Sequence, residues 1–371
     1  MITRVKALCG AAAVLCAATI STTVAAATPA YQLTDLGVAA GYASSFAYGI
    51  SDDGQQVAGW VATASGGTRA ASWSVSGGLT LLGDADGATA SRAFGINDAG
   101  QAVGETSYGS RREGTLWTAA TPAGLGTLSN AGSSVAFAVN NAGTVVGWSD
   151  SAAGTRAFTW AGAGPMQSLG ALPGGTQTRA YGINAAGQAT GWGTSPAGDR
   201  GFVDDGGLVA IPTLQAGAGR TRAFGNANFN GWVTGDAQDP ALGDVAFAWS
   251  PATGSFSLGL ISGAARSFGA DINSAGAAVG WADGLPTGEQ AYLWTQATGM
   301  VALDSLLVGA DGWSMQRARA ISDNGNIVGH AVDAQGVVHA VLLTPVPEVS
   351  TWLLMCLGLA TLGALRRHVT R

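Results

Sequence analysis

One short motif recurs along this chain of 371 residues at intervals of 43 to 49 residues. Its clearest copies read AFGINDAGQAVGE from Ala93, AFAVNNAGTVVGW from Ala136 and AYGINAAGQATGW from Ala180. A fixed period of this length is typical of repeat folds, in which each unit buries its apolar face against its neighbours. The chain is therefore expected to consist of copies of one small module.

Seven copies can be aligned on a glycine that ends the turn of each motif. These glycines are Gly54, Gly100, Gly143, Gly187, Gly231, Gly276 and Gly325. A second marker recurs in step with them, at Trp73, Trp117, Trp160, Trp249 and Trp294, with Asp204 and Leu342 in the two remaining places. The seven units, each of roughly 45 residues, fill the chain from Tyr31 to Thr344.

Each unit divides into four short segments. In the fourth unit these read MQSLGAL, RAYGIN, QATGW and RGFVD, in that order. Side chains alternate in character along them, and Gly, Asn and Asp bound them, which predicts strands. Asn followed three residues later by Gly suits a type I turn, with the Gly in a positive-φ conformation. The aromatic residue of the second segment, such as Tyr181, is expected to fill the gap between neighbouring sheets.

The predicted fold is all-β: a seven-bladed β-propeller made of seven four-stranded repeats. Closing the ring leaves no long unpaired edge strand. YQLTDLG, from Tyr31, is the expected opening strand, and VVHAVLL, from Val337, the closing one. An open β-solenoid is the alternative, but it would need a cap at each end, and no segment resembles a cap.

The N-terminal residues 1–27 are predicted to be a secretory signal peptide. A basic tip with Arg4 and Lys6 precedes an apolar run, and the small residues Ala25 and Ala27 mark a cleavage site after Ala27. An uncleaved anchor is the alternative. The C-terminal residues 345–371 contain an apolar segment, 351–365, that is expected to form a short transmembrane helix followed by Arg366 and Arg367.

The order Val346-Pro347-Glu348, apolar helix, Arg366-Arg367 resembles the PEP-CTERM sorting signal. The resemblance covers about the last 26 residues and departs from the family motif at Val349, where the family has a second Pro. It implies export in a Gram-negative bacterium, an inner-membrane intermediate and processing by an exosortase-type enzyme. A plain C-terminal membrane anchor is the alternative.

The seven units also resemble the HAF repeats of exported bacterial proteins. The pattern GIN-x-x-G-Q-x-V-G-W and the slot occupied by His339-Ala340-Val341 carry this resemblance, which spans all seven units. Only the last unit keeps the His, and Val341 stands there in place of Phe. The resemblance implies an exported repeat protein and no particular activity.

Charge and cysteine content restrict the possible chemistry of the repeats. Between the terminal segments stand 12 arginines, no lysine and 22 acidic residues, which give a formal charge of −10. An acidic body argues against nucleic acid as a partner. The three cysteines, Cys9, Cys16 and Cys356, all lie in the terminal apolar segments, so the repeats have neither disulfides nor thiolate chemistry.

No catalytic, cofactor or metal site is predicted. His330 and His339 lie in one unit without ligand-type neighbours at suitable spacing, and the turn acids lack a calcium-loop pattern. These acids are Asp52, Asp53, Asp98, Asp204, Asp205 and Asp323. Paired carboxylates of a glycosidase or lyase would have to come from different blades, which sequence cannot show.

Two sets of side chains recur once per unit. The arginines are Arg92, Arg179, Arg222 and Arg319 before the AFGIN strand, and Arg69, Arg156 and Arg200 before the RAF strand. They could form an anion-binding ring, but pairing with the turn acids between blades is the preferred interpretation. Trp60, Trp148, Trp192 and Trp281 could stack on sugars, but packing between blades is preferred.

The sequence therefore favours an exported, surface- or matrix-associated, non-catalytic binding or scaffold protein. Its partners would be the processing enzyme, the membrane before processing, and an extracellular polysaccharide or matrix protein. The alternative is a hydrolase or lyase that acts on polysaccharide at the propeller face. An enzyme should gather Asp, Glu, His or Arg from several blades at the channel mouth, whereas a scaffold should not.

Overall fold

A computed structural model describes residues 29–215, 219–226 and 231–347 of the chain. These ranges contain 28 β-strands and one 3₁₀ turn, Leu303–Leu306. The strands form seven separate four-stranded sheets, and every pairing within a sheet is antiparallel. The all-β prediction and the number of blades are thereby confirmed.

The strands follow one another around the ring in chain order. Their bounds are β1 (Ala30–Asp35), β2 (Ser44–Ile50), β3 (Gln56–Ala62), β4 (Thr68–Ser74), β5 (Gly78–Leu81), β6 (Ala90–Ile96), β7 (Ala102–Tyr108), β8 (Arg111–Thr118), β9 (Thr121–Gly124), β10 (Ser134–Val139), β11 (Val145–Ser151), β12 (Gly154–Trp160), β13 (Gln167–Gly170) and β14 (Thr178–Ile183). The second half comprises β15 (Ala189–Gly193), β16 (Arg200–Asp204), β17 (Leu208–Ala210), β18 (Thr221–Asn226), β19 (Val233–Asp239), β20 (Gly243–Ser250), β21 (Gly254–Gly259), β22 (Arg266–Ile272), β23 (Ala278–Leu285), β24 (Gly288–Thr295), β25 (Gly299–Ala302), β26 (Ser314–Ile321), β27 (Ile327–Val332) and β28 (Val338–Val346).

Blades 1 to 6 each consist of four consecutive strands, so that blade 1 comprises β2 to β5 and blade 6 comprises β22 to β25. Blade 7 has the order β1-β28-β27-β26, so the first strand of the chain forms its outermost strand. Six residue pairs, from Ala30↔Val346 to Asp35↔Val341, join β1 to β28. The two ends of the described repeats are thus held in one sheet, which closes the ring and excludes the open solenoid.

The predicted order of strands within a unit is wrong by one strand. MQSLG, expected to open the fourth unit, is β13, which pairs with β12 and completes blade 3. A blade therefore starts at the RAYGIN-type strand, because a tight Asn-x-x-Gly turn joins that strand to its partner, whereas the outermost strand leads across to the next blade. The last strand also runs to Val346, two residues beyond the expected limit at Thr344.

Several terminal predictions fall outside the described residues. Ala25, Ala27, Glu348, the segment 351–365, Arg366 and Arg367 belong to this group, and they remain sequence-based predictions. Within the described ranges, no helix is long and apolar enough to cross a membrane.

The hydrophobic core lies between successive blades, and a glycine in the second strand of each blade permits its close packing. In all seven blades a Cβ at this glycine would lie 1.8–2.0 Å from a carbonyl oxygen of the first strand. The seven positions are Gly59, Gly104, Gly147, Gly191, Gly235, Gly280 and Gly329. The register shift in the middle of the first strand brings this carbonyl against the glycine. Here glycine is required for space, because no other residue lacks the Cβ.

A buried hydroxyl joins six of the seven pairs of neighbouring blades; the exception is the pair formed by blades 6 and 7. Ser or Thr near the start of the first strand accepts a hydrogen bond, 2.8–3.0 Å long, from a third-strand amide of the preceding blade. The six residues are Ser45, Ser91, Ser134, Thr178, Thr221 and Ser267. The buried Met315 takes the corresponding place in blade 7.

Candidate functional site

The turns that end at the seven aligned glycines surround one mouth of the central channel, and two of them begin with Ser51 and Ser322 instead of Asn. All seven aligned glycines have φ between 63° and 85°. In the six turns whose first residue lies within the described ranges, the glycine amide donates to that residue's carbonyl at 2.9–3.0 Å. The glycine therefore serves backbone geometry, because side-chain-bearing residues rarely adopt this φ.

The turn asparagines connect neighbouring blades, a role that the sequence did not suggest. Asn97 Nδ2 donates to the Asn140 carbonyl at 3.0 Å, and Asn140 Nδ2 donates to the Asn184 carbonyl at 3.1 Å. Asn273 makes the equivalent bond to Ser322 at 3.2 Å. The Oδ1 atom of each of these asparagines meanwhile accepts backbone amides of its own turn. One side chain thus shapes its turn and holds the next blade.

The aromatic residues of the first strands line the central channel. Tyr48, Phe94, Phe137, Tyr181 and Phe224 form a continuous arc over blades 1 to 5, with neighbouring ring centroids 4.5–5.2 Å apart. We call these five rings the aromatic arc. The expectation that they fill the gap between sheets is wrong, because the extra residue at the register shift turns each ring toward the axis.

Blades 6 and 7 interrupt this arc. Ala270 and Arg319 occupy the two remaining ring positions, and Asp271 replaces the glycine that follows the aromatic residue in blades 1, 2, 4 and 5. Together with the aromatic arc, these residues line a cavity of about 360 Å³ on the axis. Residues from all seven blades contribute to its wall, including Asp52 from the turn of blade 1.

Asp271 is held between neighbouring blades by backbone amides. Its Oδ1 accepts from Ile272 N at 2.9 Å, and its Oδ2 accepts from Ile321 N in blade 7 at 3.0 Å. Burial in the channel wall raises the pKa of Asp271 to about 7, although these two amide bonds oppose the shift. The sequence signal for this site is Asp271 itself, which stands in GADIN where four other units have Gly.

The prediction that Arg319 precedes the AFGIN-type strand, as Arg92 and Arg179 do, is wrong. Arg317, two residues earlier, pairs in register with His330, as Arg179 does with Trp192. Arg319 therefore stands in the aromatic position, with its Cζ 5.2 Å from the Tyr48 ring centroid and 4.7 Å from that of Trp281. Desolvation lowers the pKa of Arg319, although its guanidinium stays charged at ordinary pH.

Arginine and tryptophan side chains contact one another across blades 2 to 5, at the strand ends opposite the turns. We call this set the arginine–tryptophan row. Arg112 and Arg179 contact Trp148, and Arg179 and Arg222 contact Trp192, at 5.0–6.0 Å from Cζ to ring centroid. The Arg179–Trp192 contact lies within blade 4, whereas the other three cross from one blade to the next, so these tryptophans do pack between blades as preferred. The predicted pairing of arginines with the turn acids is wrong. Arg92 pairs with Glu105 and Arg222 with Asp236, because both arginines lie at the strand end opposite the turns.

The second set of arginines serves the connections between blades. Arg69, Arg156 and Arg200 each donate to a backbone carbonyl in the segment that leads to the next blade. This role explains their regular spacing without a ligand.

Both histidines of the described residues take structural positions. His330 is 9% exposed and packs edge-on against Phe46 of blade 1, with centroids 5.4 Å apart. Burial, and to a lesser degree Arg319 and Arg317, lowers the pKa of His330 to about 3, so it is neutral. His339 contacts Asp35 of β1 at 3.0 Å and Asp333 at 3.4 Å. No cluster of three or more His, Cys, Asp or Glu side chains suited to a metal occurs among the described residues.

No family model matches the chain, and no curated protein matches it. Among solved structures, it is similar to a streptogramin B lyase, with 11% identity, 85% of this chain and 98% of the other covered, and a TM-score of 0.52. A virginiamycin B lyase from Staphylococcus aureus matches with 11% identity, 85% and 99% coverage and a TM-score of 0.50. An Aleuria aurantia lectin matches with 10% identity, 74% and 94% coverage and a TM-score of 0.39. At these identities the likeness concerns the fold alone.

Proposed function

We propose that this chain is an exported binding protein whose central cavity holds a sugar ring. The observation that supports this function is the aromatic arc, five rings in mutual contact around an axial cavity of about 360 Å³. This volume lies in the ordinary range of small-molecule sites. Aromatic faces offer a rigid apolar surface to the C–H face of a sugar, while Asp271 and Arg319 supply polar groups beside it.

The cellular setting of the proposal rests on the terminal sequences. The signal peptide with Ala25 and Ala27 would direct export, and the segment with Val346, Pro347, Glu348, Arg366 and Arg367 would direct exosortase-type processing. The propeller would then act at the cell surface or in the extracellular matrix as a non-catalytic binding or scaffold module. Polysaccharides or glycosylated proteins of that matrix are the proposed partners.

Binding can be tested by titrating the full-length chain with monosaccharides and short oligosaccharides while its tryptophan fluorescence is recorded. Phe137→Ala removes the central ring of the arc, which contacts Phe94 and Tyr181, so we expect affinity to fall at least tenfold. Tyr108→Ala is the control, since this aromatic side chain contacts Arg111 away from the cavity. Failure of the chain to bind any sugar, including those of a glycan array, would contradict the proposal.

A polysaccharide-acting enzyme is the second candidate, and one observation favours it. Asp52, Asp271 and Tyr48 line the same cavity although they come from blades 1 and 6. A carboxyl with a pKa of about 7 is suited to proton transfer near neutral pH. Incubation of the chain with acidic polysaccharides would decide between the candidates. Product formation that Asp271→Asn abolishes while sugar binding persists would establish catalysis.

A further inference from the structure

Arg319 breaks the repeat at the position that otherwise faces the ligand cavity. Five blades place an aromatic ring there and blade 6 places Ala270, whereas blade 7 alone places a cation. Geometry alone does not require an arginine, because the other six blades fold around uncharged side chains at the same register. The charge therefore calls for an explanation in terms of what enters the cavity.

The partners of Arg319 differ from those of most other arginines in the repeats. Ten of the 12 donate to, or pair with, a carboxylate or a backbone carbonyl. Within the described ranges, Arg319 makes neither kind of contact, and its guanidinium lies over the rings of Tyr48 and Trp281. Arg179 is the other exception, but it lies in the arginine–tryptophan row outside the cavity.

Removing a guanidinium from bulk water is costly when no anion compensates it. The two aromatic faces recover part of this cost, because a contact between a cation and an aromatic face strengthens where water is excluded. They also hold the guanidinium plane in place while leaving its edge free to donate. A planar fork with free donors matches a carboxylate in a bidentate pair better than any neutral group does.

We infer that the central cavity is selective for a sugar that carries a carboxylate, a uronate, with Arg319 pairing the carboxylate and the aromatic arc stacking on the ring. This inference rests on the proposed function and specifies the class of its ligand. The net negative charge of the repeats does not prevent such binding. The ion pair between the carboxylate and Arg319 is local, and Arg319 lies between the aromatic side chains of Tyr48 and Trp281.

The test compares glucuronate with glucose, which differ only in the C6 carboxylate. We expect the full-length chain to bind glucuronate at least tenfold more tightly than glucose, and the preference to shrink as NaCl is raised from 50 to 500 mM. Arg319→Phe installs the aromatic residue of the other blades and should abolish the preference for glucuronate over glucose. Arg319→Gln is a second variant in case the larger ring disturbs folding. Arg92→Gln is the control, since it alters an arginine that lies outside the cavity lining and pairs with Glu105.

The possible outcomes separate this inference from the proposed function. Equal affinities for the two sugars in the unaltered chain would overturn the inference and leave sugar binding intact. A preference for glucuronate that survives both Arg319 variants would also overturn it, because the carboxylate would then be recognised elsewhere. If neither these sugars nor their oligomers bind, the inference fails, and the proposed function fails with it if the glycan array is negative as well.

Discussion

The half-buried carboxyl of Asp271 allows a quantitative prediction about the pH dependence of stability. In the folded protein its pKa is about 7, against 3.8 as the ordinary value. Between these two pH values the folded chain binds more protons than the unfolded chain, so the free energy of unfolding falls as pH rises. A shift of this size corresponds to a ceiling of about 4 kcal/mol, of which about 2.3 kcal/mol would be lost between pH 5 and pH 7.

The open channel reduces this ceiling, because Asp271 is only partly removed from solvent. We therefore expect the contribution of Asp271 to fall by about 1–3 kcal/mol from pH 5 to pH 8. Asp271→Asn removes the titration. It also places an amide NH₂ where a carboxylate oxygen accepts from a backbone amide, so the variant should be less stable than the unaltered chain at pH 5. From pH 5 to pH 8, the difference in free energy of unfolding between the unaltered chain and Asp271→Asn should therefore shrink by about 1–3 kcal/mol.

Urea unfolding followed by tryptophan fluorescence, in steps from pH 5 to pH 8, measures this difference directly. His330 and the other titrating groups contribute to both proteins and so cancel to first order. Asp86→Asn, in an exposed connection, is the control for the loss of one negative charge. A difference between the unaltered chain and Asp271→Asn that stays constant over this pH range would refute the burial argument.

Three further predictions concern the construction of the ring. Gly191→Ala places a Cβ 1.9 Å from the Arg179 carbonyl oxygen and should cost about 3 kcal/mol or more in thermal or urea unfolding. Gly187→Ala, whose Cβ would meet nothing within 4 Å, should cost only about 1 kcal/mol for its positive φ, and equal costs would contradict the steric argument. Thr178→Val leaves the buried Ala157 amide without an acceptor and should cost about 1–3 kcal/mol, whereas Thr178→Ser should recover most of this; a Ser variant as unstable as the Val variant would point to packing instead. A chain that starts at Leu36 lacks β1, so it should lose cooperative unfolding and aggregate through the exposed edge of β28, whereas a chain that starts at Pro29 should not. Equal stability of these two truncated chains would show that ring closure does not depend on β1.

The repeat carried enough information to predict the blades but not their limits. The sequence predicted seven units, strands rather than helices, and a ring, because the period and the alternation within each unit are local properties. It could not show whether MQSLG pairs with the strand before it or with the strand after it, since both follow through short connections. Sheet pairing decided this, and β1 completes blade 7 for the same reason.

The candidate site was largely hidden from the sequence for a physical reason. One extra residue at each register shift turns Tyr181 and its equivalents from the expected gap between sheets to the central axis. Arg319 follows Arg317 by two residues, so the sequence alone did not show which of the two stands in the aromatic position. Asp271 was not noticed at all, because a single acidic residue in a repeat carries no sign of what surrounds it.

The sequence by itself determined the module, its sevenfold repetition and the backbone needs of its turns, because these depend on residues close together in the chain. The tertiary structure alone decided which blade edges meet, which side chains reach the axis, and that Asp271 and Arg319 interrupt an aromatic ring there. Those features arise from residues about one blade apart or more in sequence. Their contacts depend on closure of the ring, which no local pattern specifies.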